Sequence, residues 1–231
     1  KSMDRMRAAG HGFGAVPEAF PVIEALYEQL LDKMARHFAI YPYFLGYKPS
    51  IGDFGMMAPL YAHLGRDPAP LRLMQTRAVQ VLRWVERMNR PEPDQGEFTI
   101  QGDGFLADDE IPETLVEVLK HIAQDFMPET RAAAKFTNNW LVENDVPEGT
   151  VAERAIGVAE FEVQGQTLKA IVQPFRFYLL QRLFAEYDQQ DAAGKQAIDA
   201  LLTSCDMADL MSLRINQQIG RADNLEVWLA P

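Results

Sequence analysis

YPYFLGYKPSIGDFGMMAPLYAHL, residues 41–64, is the stretch whose reading decides the fold. Within it Ser50-Ile51-Gly52-Asp53 fits an N-terminal capping box. The Ser50 hydroxyl accepts from the backbone N–H of Asp53, and the Asp53 carboxylate reaches back to the N–H of Ser50. Asp is a shorter variant of the usual Glu or Gln, and it sets a negative charge at the positive end of the helix dipole. Phe54, Met57, Tyr61 and Leu64 follow at helical spacing, which predicts an amphipathic or buried helix over residues 50–64 that crosses the middle of the fold. Pro59 inside it presses its ring toward the carbonyl of Gly55, so a kink rather than a break is expected.

Outward from this stretch, Phe20, Ile23, Tyr27, Leu30, Met34 and Phe38 recur at three- and four-residue steps. They predict a helix over residues 17–39, opened by Pro17 and widened by Leu26 and Leu31 into a second buried flank. Residues 1–9, KSMDRMRAA, read as the end of a helix stopped by Gly10, with Met3 and Met6 on one face and a loop at His11-Gly12-Phe13-Gly14. A helix tail at the first residue implies chain upstream of it. After the turn Gly65-Arg66-Asp67-Pro68, one helix is expected to bury Leu71, Met74, Ala78, Val81, Leu82, Val85 and Met88, with Trp84 at the edge of that stripe. Residues 89–110 are dense in Pro, Gly and acids. They read as an irregular loop and as the boundary between residues 1–90 and 91–231.

Beyond it, Leu115, Val118, Leu119, Ile122 and Phe126 restore the helical period until Pro128, and a second helix is expected over 129–142 with Phe136 and Trp140 inward. Residues 156–172 are where the period changes to two. With Gln164-Gly165 between the runs they predict a β-hairpin packed on helices, since an isolated strand pair is marginal in water. A helix opened by Gln173-Pro174-Phe175 carries Phe177, Leu180, Leu183, Phe184 and Tyr187, and the next, capped by Asp191, buries Ile198, Leu201 and Leu202. The tail, with Leu225, Val227, Trp228 and Leu229, is expected to be tied against the body. The fold class is therefore all-α, mainly a helical bundle, with one small β-hairpin near residues 156–172.

The 231 residues, 48% apolar, suffice for one large or two small domains with a real core. A net charge of −11 leaves no electrostatic footprint for nucleic acid or an anionic membrane. No run approaches the roughly 20 apolar residues of a membrane span, and no signal peptide is read. The single cysteine, Cys205, excludes an internal disulfide framework and fits a reducing, cytoplasmic compartment; beside Leu201 and Leu202 it reads as a small buried residue. His37, His63 and His121 have no acid or Cys at a ligand spacing, and the acids Asp103, Asp108, Asp109 and Glu110 lack the order of a calcium loop, so no metal site is expected. Neither a G-x-S-x-G frame nor a P-loop occurs, and no residue is assigned a catalytic role.

Phe44-Leu45-Gly46, a short spacer, Pro49-Ser50-x-x-Asp53-Phe54 and an apolar helix together resemble the C-terminal, all-helical domain of the glutathione S-transferase superfamily. RDPAPLRLMQTRAVQVLRWVERM resembles the next helix of that domain, and the likeness covers residues 17–90. The hairpin, the following P-F-x-x-Y-L-L-Q-R and the tail are similar to an extension in some bacterial transferase-like proteins of the superfamily. The resemblance implies that Ser50, Asp53 and their helix form the domain core, and that a thioredoxin-like domain holding glutathione precedes this chain. It also implies that this chain supplies an apolar wall for a small electrophile, from Met3, Met6, His11, Phe13 and Trp84, each of which has a plain packing reading as well. On that basis the chain takes part in thiol conjugation to a small apolar substrate, as a homodimer, with glutathione as co-substrate and no cofactor of its own. The alternative is a non-catalytic helical module of the same fold for dimerisation or partner binding. A carrier of an apolar ligand is a third reading.

Overall fold

Helical periodicity dominates the sequence, and the computed structural model, which describes residues 2–230, follows it with eight α-helices among those residues. They are α1 (Ser2–Gly12), α2 (Phe20–Phe38), α3 (Ile51–Pro59), α4 (Pro68–Arg77), α5 (Val79–Met88), α6 (Glu113–Asn144), α7 (Phe175–Gln189) and α8 (Ala192–Ser204). The period-two run forms β1 (Gly157–Val163) paired antiparallel with β2 (Gln166–Val172), as expected. A second hairpin, β3 (Ile219–Ala222) with β4 (Leu225–Trp228), adds to the one anticipated. Both turns hold two residues at positive φ, Gln164-Gly165 at 50° and 79° and Asp223-Asn224 at 48° and 63°. That conformation matches the twist of the flanking strands, and Asp and Asn adopt it more readily than other side chains.

Two compact units divide the chain. Glu24–His121 forms one, here the helical unit; the residues through Ile23 and from Ile122 onward form the other, the hairpin unit. The chain passes from one to the other within α2 and returns within α6. Residues 89–110, read from composition as a boundary, lie inside the helical unit.

In the helical unit α2 buries Leu26, Leu31, Met34 and Phe38; Leu60, Met74, Ala78, Val81, Trp84 and Val85 are buried as well, with Phe38 stacked on Trp84. The expected stripe of α3 is not the buried face. Phe54 is 59% exposed, and Met57, Tyr61 and Leu64 are half-buried, while Asp53 and Leu60 point inward. At Pro59 the helix neither stops nor simply kinks. It passes into a single π-helical turn, Leu60–Leu64, in which the i→i−4 ladder gives way to i→i−5 bonds. The single helix expected over the next stretch is two, broken at Ala78 (φ −139°, ψ 56°), a fully buried residue with no proline or glycine to announce it. The acidic loop is tied down by backbone and amide contacts. Leu106 N–H donates to the Leu45 carbonyl at 2.9 Å, and the Gln95 amide donates to the carbonyls of Tyr47 and Gly102, each at 2.7 Å.

α6, whose residues from Ile122 onward belong to the hairpin unit, runs as one 32-residue helix through Pro128, where two helices were expected. A mid-helix proline costs about 3 kcal/mol, and burial on both sides of it, by Ala123 and Met127 before and Ala133, Ala134 and Leu141 after, outweighs that cost. Those alanines pack with Ala159, Val172, Phe177, Ile219 and Trp228, and Trp140 stacks on Trp228 at 6.0 Å. Gly157 is required where β1 meets α6, because a Cβ there would lie 2.1 Å from the Phe136 ring. The tail is tied down as expected: Trp228 is fully buried, its N–H donating to the Thr150 carbonyl at 2.9 Å and its carbonyl accepting from Gly149 at 2.8 Å. α1 does not stop at Gly10 but continues to Gly12, and the chain turns at Gly14, φ +84°. Phe20, Ile23 and Leu183 are exposed rather than buried. Asp191 caps α8 through the Gly194 N–H at 2.8 Å, but Ile198, Leu201 and Leu202 are only half-buried.

Candidate functional site

The most densely bonded group in the helical unit is Asp53. Its carboxylate is fully buried and accepts four hydrogen bonds: from the Ser50 N–H (2.8 Å) and hydroxyl (2.7 Å) on one oxygen, and from the Phe44 N–H (3.1 Å) and Trp84 indole N–H (2.9 Å) on the other. The Ser50 hydroxyl in turn accepts from the Asp53 N–H at 3.4 Å, so both halves of the expected capping box are formed. A carboxylate offers about four lone-pair directions, and here each is occupied, which suits a structural hub better than a proton carrier. Trp84, a candidate for the substrate wall, is in the core: its indole is fully buried and stacks on Phe38 at 4.9 Å and 12°.

Two histidines and an arginine join this interior. His37 is fully buried, with Nδ1 2.8 Å from the Thr114 hydroxyl and Nε2 3.3 Å from the Tyr43 carbonyl, and burial holds its pKa below the usual value. His121 is buried with Nε2 2.8 Å from the Leu26 carbonyl. Arg87, only 5% exposed, is ion-paired with Glu97, donates to the Pro42 carbonyl at 3.1 Å and lies over the Phe98 ring at 5.0 Å. Desolvation pulls its pKa down, and its Nε has no hydrogen-bond partner in the structure. Sequence reasoning missed Arg87 because one arginine among several on a helix carries no signal of burial. Among the described residues no group of three or more His, Cys, Asp or Glu is arranged to hold a metal.

The other expected wall residues fall in the hairpin unit. Met6 of α1 and Phe13, in the turn just past its end, are both exposed; the Phe13 N–H bonds the Ala9 carbonyl at 3.1 Å, which continues the last turn of the helix. His11 is exposed on a different side of the same turns. The Met3 side chain lies outside the described residues. Trp84 is thus buried in the core of the helical unit, whereas Met6, His11 and Phe13 are exposed in the hairpin unit.

A formed concavity with about 110 Å³ of room lies in the hairpin unit between α7 and residues 214–218. Phe177, Phe184 and Ile215 make its apolar floor, and Arg214, Asp188 and Gln218 its rim. Arg214 grips Asp188 through two parallel bonds of 2.8 Å, which hold the Asp188 carboxyl below the usual range, and the guanidinium covers Phe184 at 4.8 Å. The wall is fixed by α6 and, from across the cavity, by Gln181 of α7, which also lines it. Asn138 of α6 accepts from the Asn216 N–H at 2.7 Å and donates to the Arg214 carbonyl at 3.1 Å, while the Gln181 amide bonds both the N–H and the carbonyl of Ile219. The helical stripe of α7 pointed to Phe177 and Phe184, but the opposite wall comes from residues more than 25 positions away, where local periodicity says nothing.

No family profile, no curated protein and no solved structure matches this chain.

Proposed function

We propose that this chain is the helical, substrate-side part of a glutathione-transferase-like protein. The observation that carries the reading is the formed Ser50–Asp53 box at the head of α3, with its carboxylate buried and drawing Phe44 and Trp84 onto it. The exposed Met6 and Phe13 support a role for α1 in lining an apolar substrate. Glutathione would be held by residues outside this sequence, and no step of its chemistry is assigned to residues here. The test is calorimetry of glutathione against the complete protein, with a chlorinated nitrobenzene as electrophile for turnover. Binding and conjugation support the reading, with Met6→Ser and Phe13→Ser raising KM for the electrophile; failure of the complete protein to bind glutathione overturns it.

One observation favours the second reading, a non-catalytic module that docks on another folded surface. Ile51, Phe54, Gly55, Ala58 and Ala62 fall at helical spacing along the outer side of α3 and its continuation, and Ile51 is 92% exposed. Sedimentation of the chain and of Phe54→Asp separates the two readings. Self-association lost in the variant, with no glutathione binding, selects the module.

A further inference from the structure

We propose that the concavity of the hairpin unit binds a small neutral compound with a flat apolar body and a carboxamide-type edge. The inference does not depend on the transferase-like reading, which rests on the Ser50–Asp53 box, although Phe177, Gln181, Ile215 and Gln218 lie in the segments likened to an extension of that superfamily. Three observations support it. The floor of Phe177, Phe184 and Ile215 suits a flat apolar body. The wall opposite α7 is pinned through Asn138 and Gln181, so the space cannot close by collapse of residues 214–219. The rim, finally, is a charge-neutral fork.

That fork sets the chemistry of the ligand. Arg214 gives two N–H groups to Asp188 and one, from Nε, to the Met211 carbonyl at 3.1 Å, which leaves two of its five donors for a ligand. Asp188 accepts one bond on each oxygen from Arg214 and keeps further lone pairs. Donor and acceptor thus stand side by side. A carboxamide meets both, its carbonyl accepting from the guanidinium and its N–H donating to the carboxylate, without breaking the pair. A ligand carboxylate faces repulsion from Asp188, and an ammonium faces it from Arg214, so a charged analogue must displace one member of the fork.

The experiment is a titration of the isotope-labelled full chain with benzamide, benzoate and benzylammonium, followed by amide chemical shifts. Benzamide is expected to shift Ile215 and Gln218 saturably, and the two charged analogues to bind at least tenfold more weakly. Ala185→Trp, which fills the exposed side of the cavity, is expected to abolish the shifts, and Asp188→Asn to weaken benzamide at least fivefold; unchanged amide signals from β1 and β2, in the same unit and outside the cavity, confirm that each variant is folded. Absence of saturable shifts at the solubility limit, equal binding of benzoate, or benzamide binding retained in Ala185→Trp overturns the proposal.

Discussion

In the helical unit a carboxylate, a guanidinium and two imidazoles are buried, each held by specific partners: Asp53, Arg87, His37 and His121. In the hairpin unit the described core is mainly apolar, with Phe177, Ile219 and Trp228 among alanines and valines; Gln217 is buried on the Val146 and Leu229 carbonyls, the Arg176–Glu129 pair is partly buried, and the Arg131–Asp209, Arg214–Asp188 and Arg221–Glu226 pairs lie at the surface. The two arrangements differ in what a single change removes. Exposed pairs contribute between about 0 and 1 kcal/mol, whereas a buried charge that loses its partner leaves an uncompensated desolvation cost of several times that. The helical unit therefore depends more on buried charged groups, and the hairpin unit more on apolar packing.

Asp53→Ala is the strongest way to break that contrast. A capping residue alone is worth about 1 kcal/mol, but this substitution also strands the buried Phe44 N–H and the Trp84 indole, so a loss of about 3 kcal/mol is expected. Amide exchange resolved by residue should show it concentrated between residues 24 and 121; a loss near 1 kcal/mol would mean that the indole bond adds little. Glu97→Gln should follow at about 2 kcal/mol, discounted for the partial exposure of Glu97, because Arg87 stays buried without its counter-charge. Urea denaturation measures it, and an unchanged midpoint would place Arg87 in water. Gly157→Ala tests the apolar packing of the hairpin unit: the added methyl meets the Phe136 ring, and overpacking is expected to cost about 1.5 kcal/mol. Phe136→Leu in the same chain should restore most of it.

A pH test comes next in size. His37 takes up its proton near pH 6.5 when unfolded, but below that when folded, because burial penalises the charged ring. The unfolded chain then binds more protons, so the stability His37 confers is complete above pH 6.5 and is lost as pH falls through the window beneath it. Melting curves at pH 7.5 and 5.5 should show the decline, and His37→Gln should flatten it. Arg131→Ala comes last, at no more than about 0.5 kcal/mol, since its partner Asp209 is as exposed as it is.

Much of this was legible in the sequence where one residue carries its own signal. Ser50 and Asp53 announce a cap, Gln164-Gly165 a tight turn, and Asp191 the start of α8. What escaped was set by distant partners or weak local cues. The strands of the second hairpin are four residues each, too short for a period, and its turn uses Asp223-Asn224 without a glycine. Pro128 looked like a terminator because the packing that overrides it comes from segments beyond residue 150. Trp84 fell at the edge of a stripe by spacing, and only the carboxylate of Asp53, 31 residues earlier, explains why its polar edge can be buried.

The tryptophans also give each unit its own optical label. Trp84 is the only one of the three in residues 24–121, and it is hydrogen-bonded to a carboxylate, so its emission reports on the Asp53 hub alone. Trp140 and Trp228 lie close and nearly parallel, 6.0 Å apart at 30°, a geometry in which two indole transitions couple into a paired circular-dichroism band. Replacing Trp84 by Phe leaves that band as a readout of the hairpin unit, so the unfolding of the two units can be followed separately without any dye.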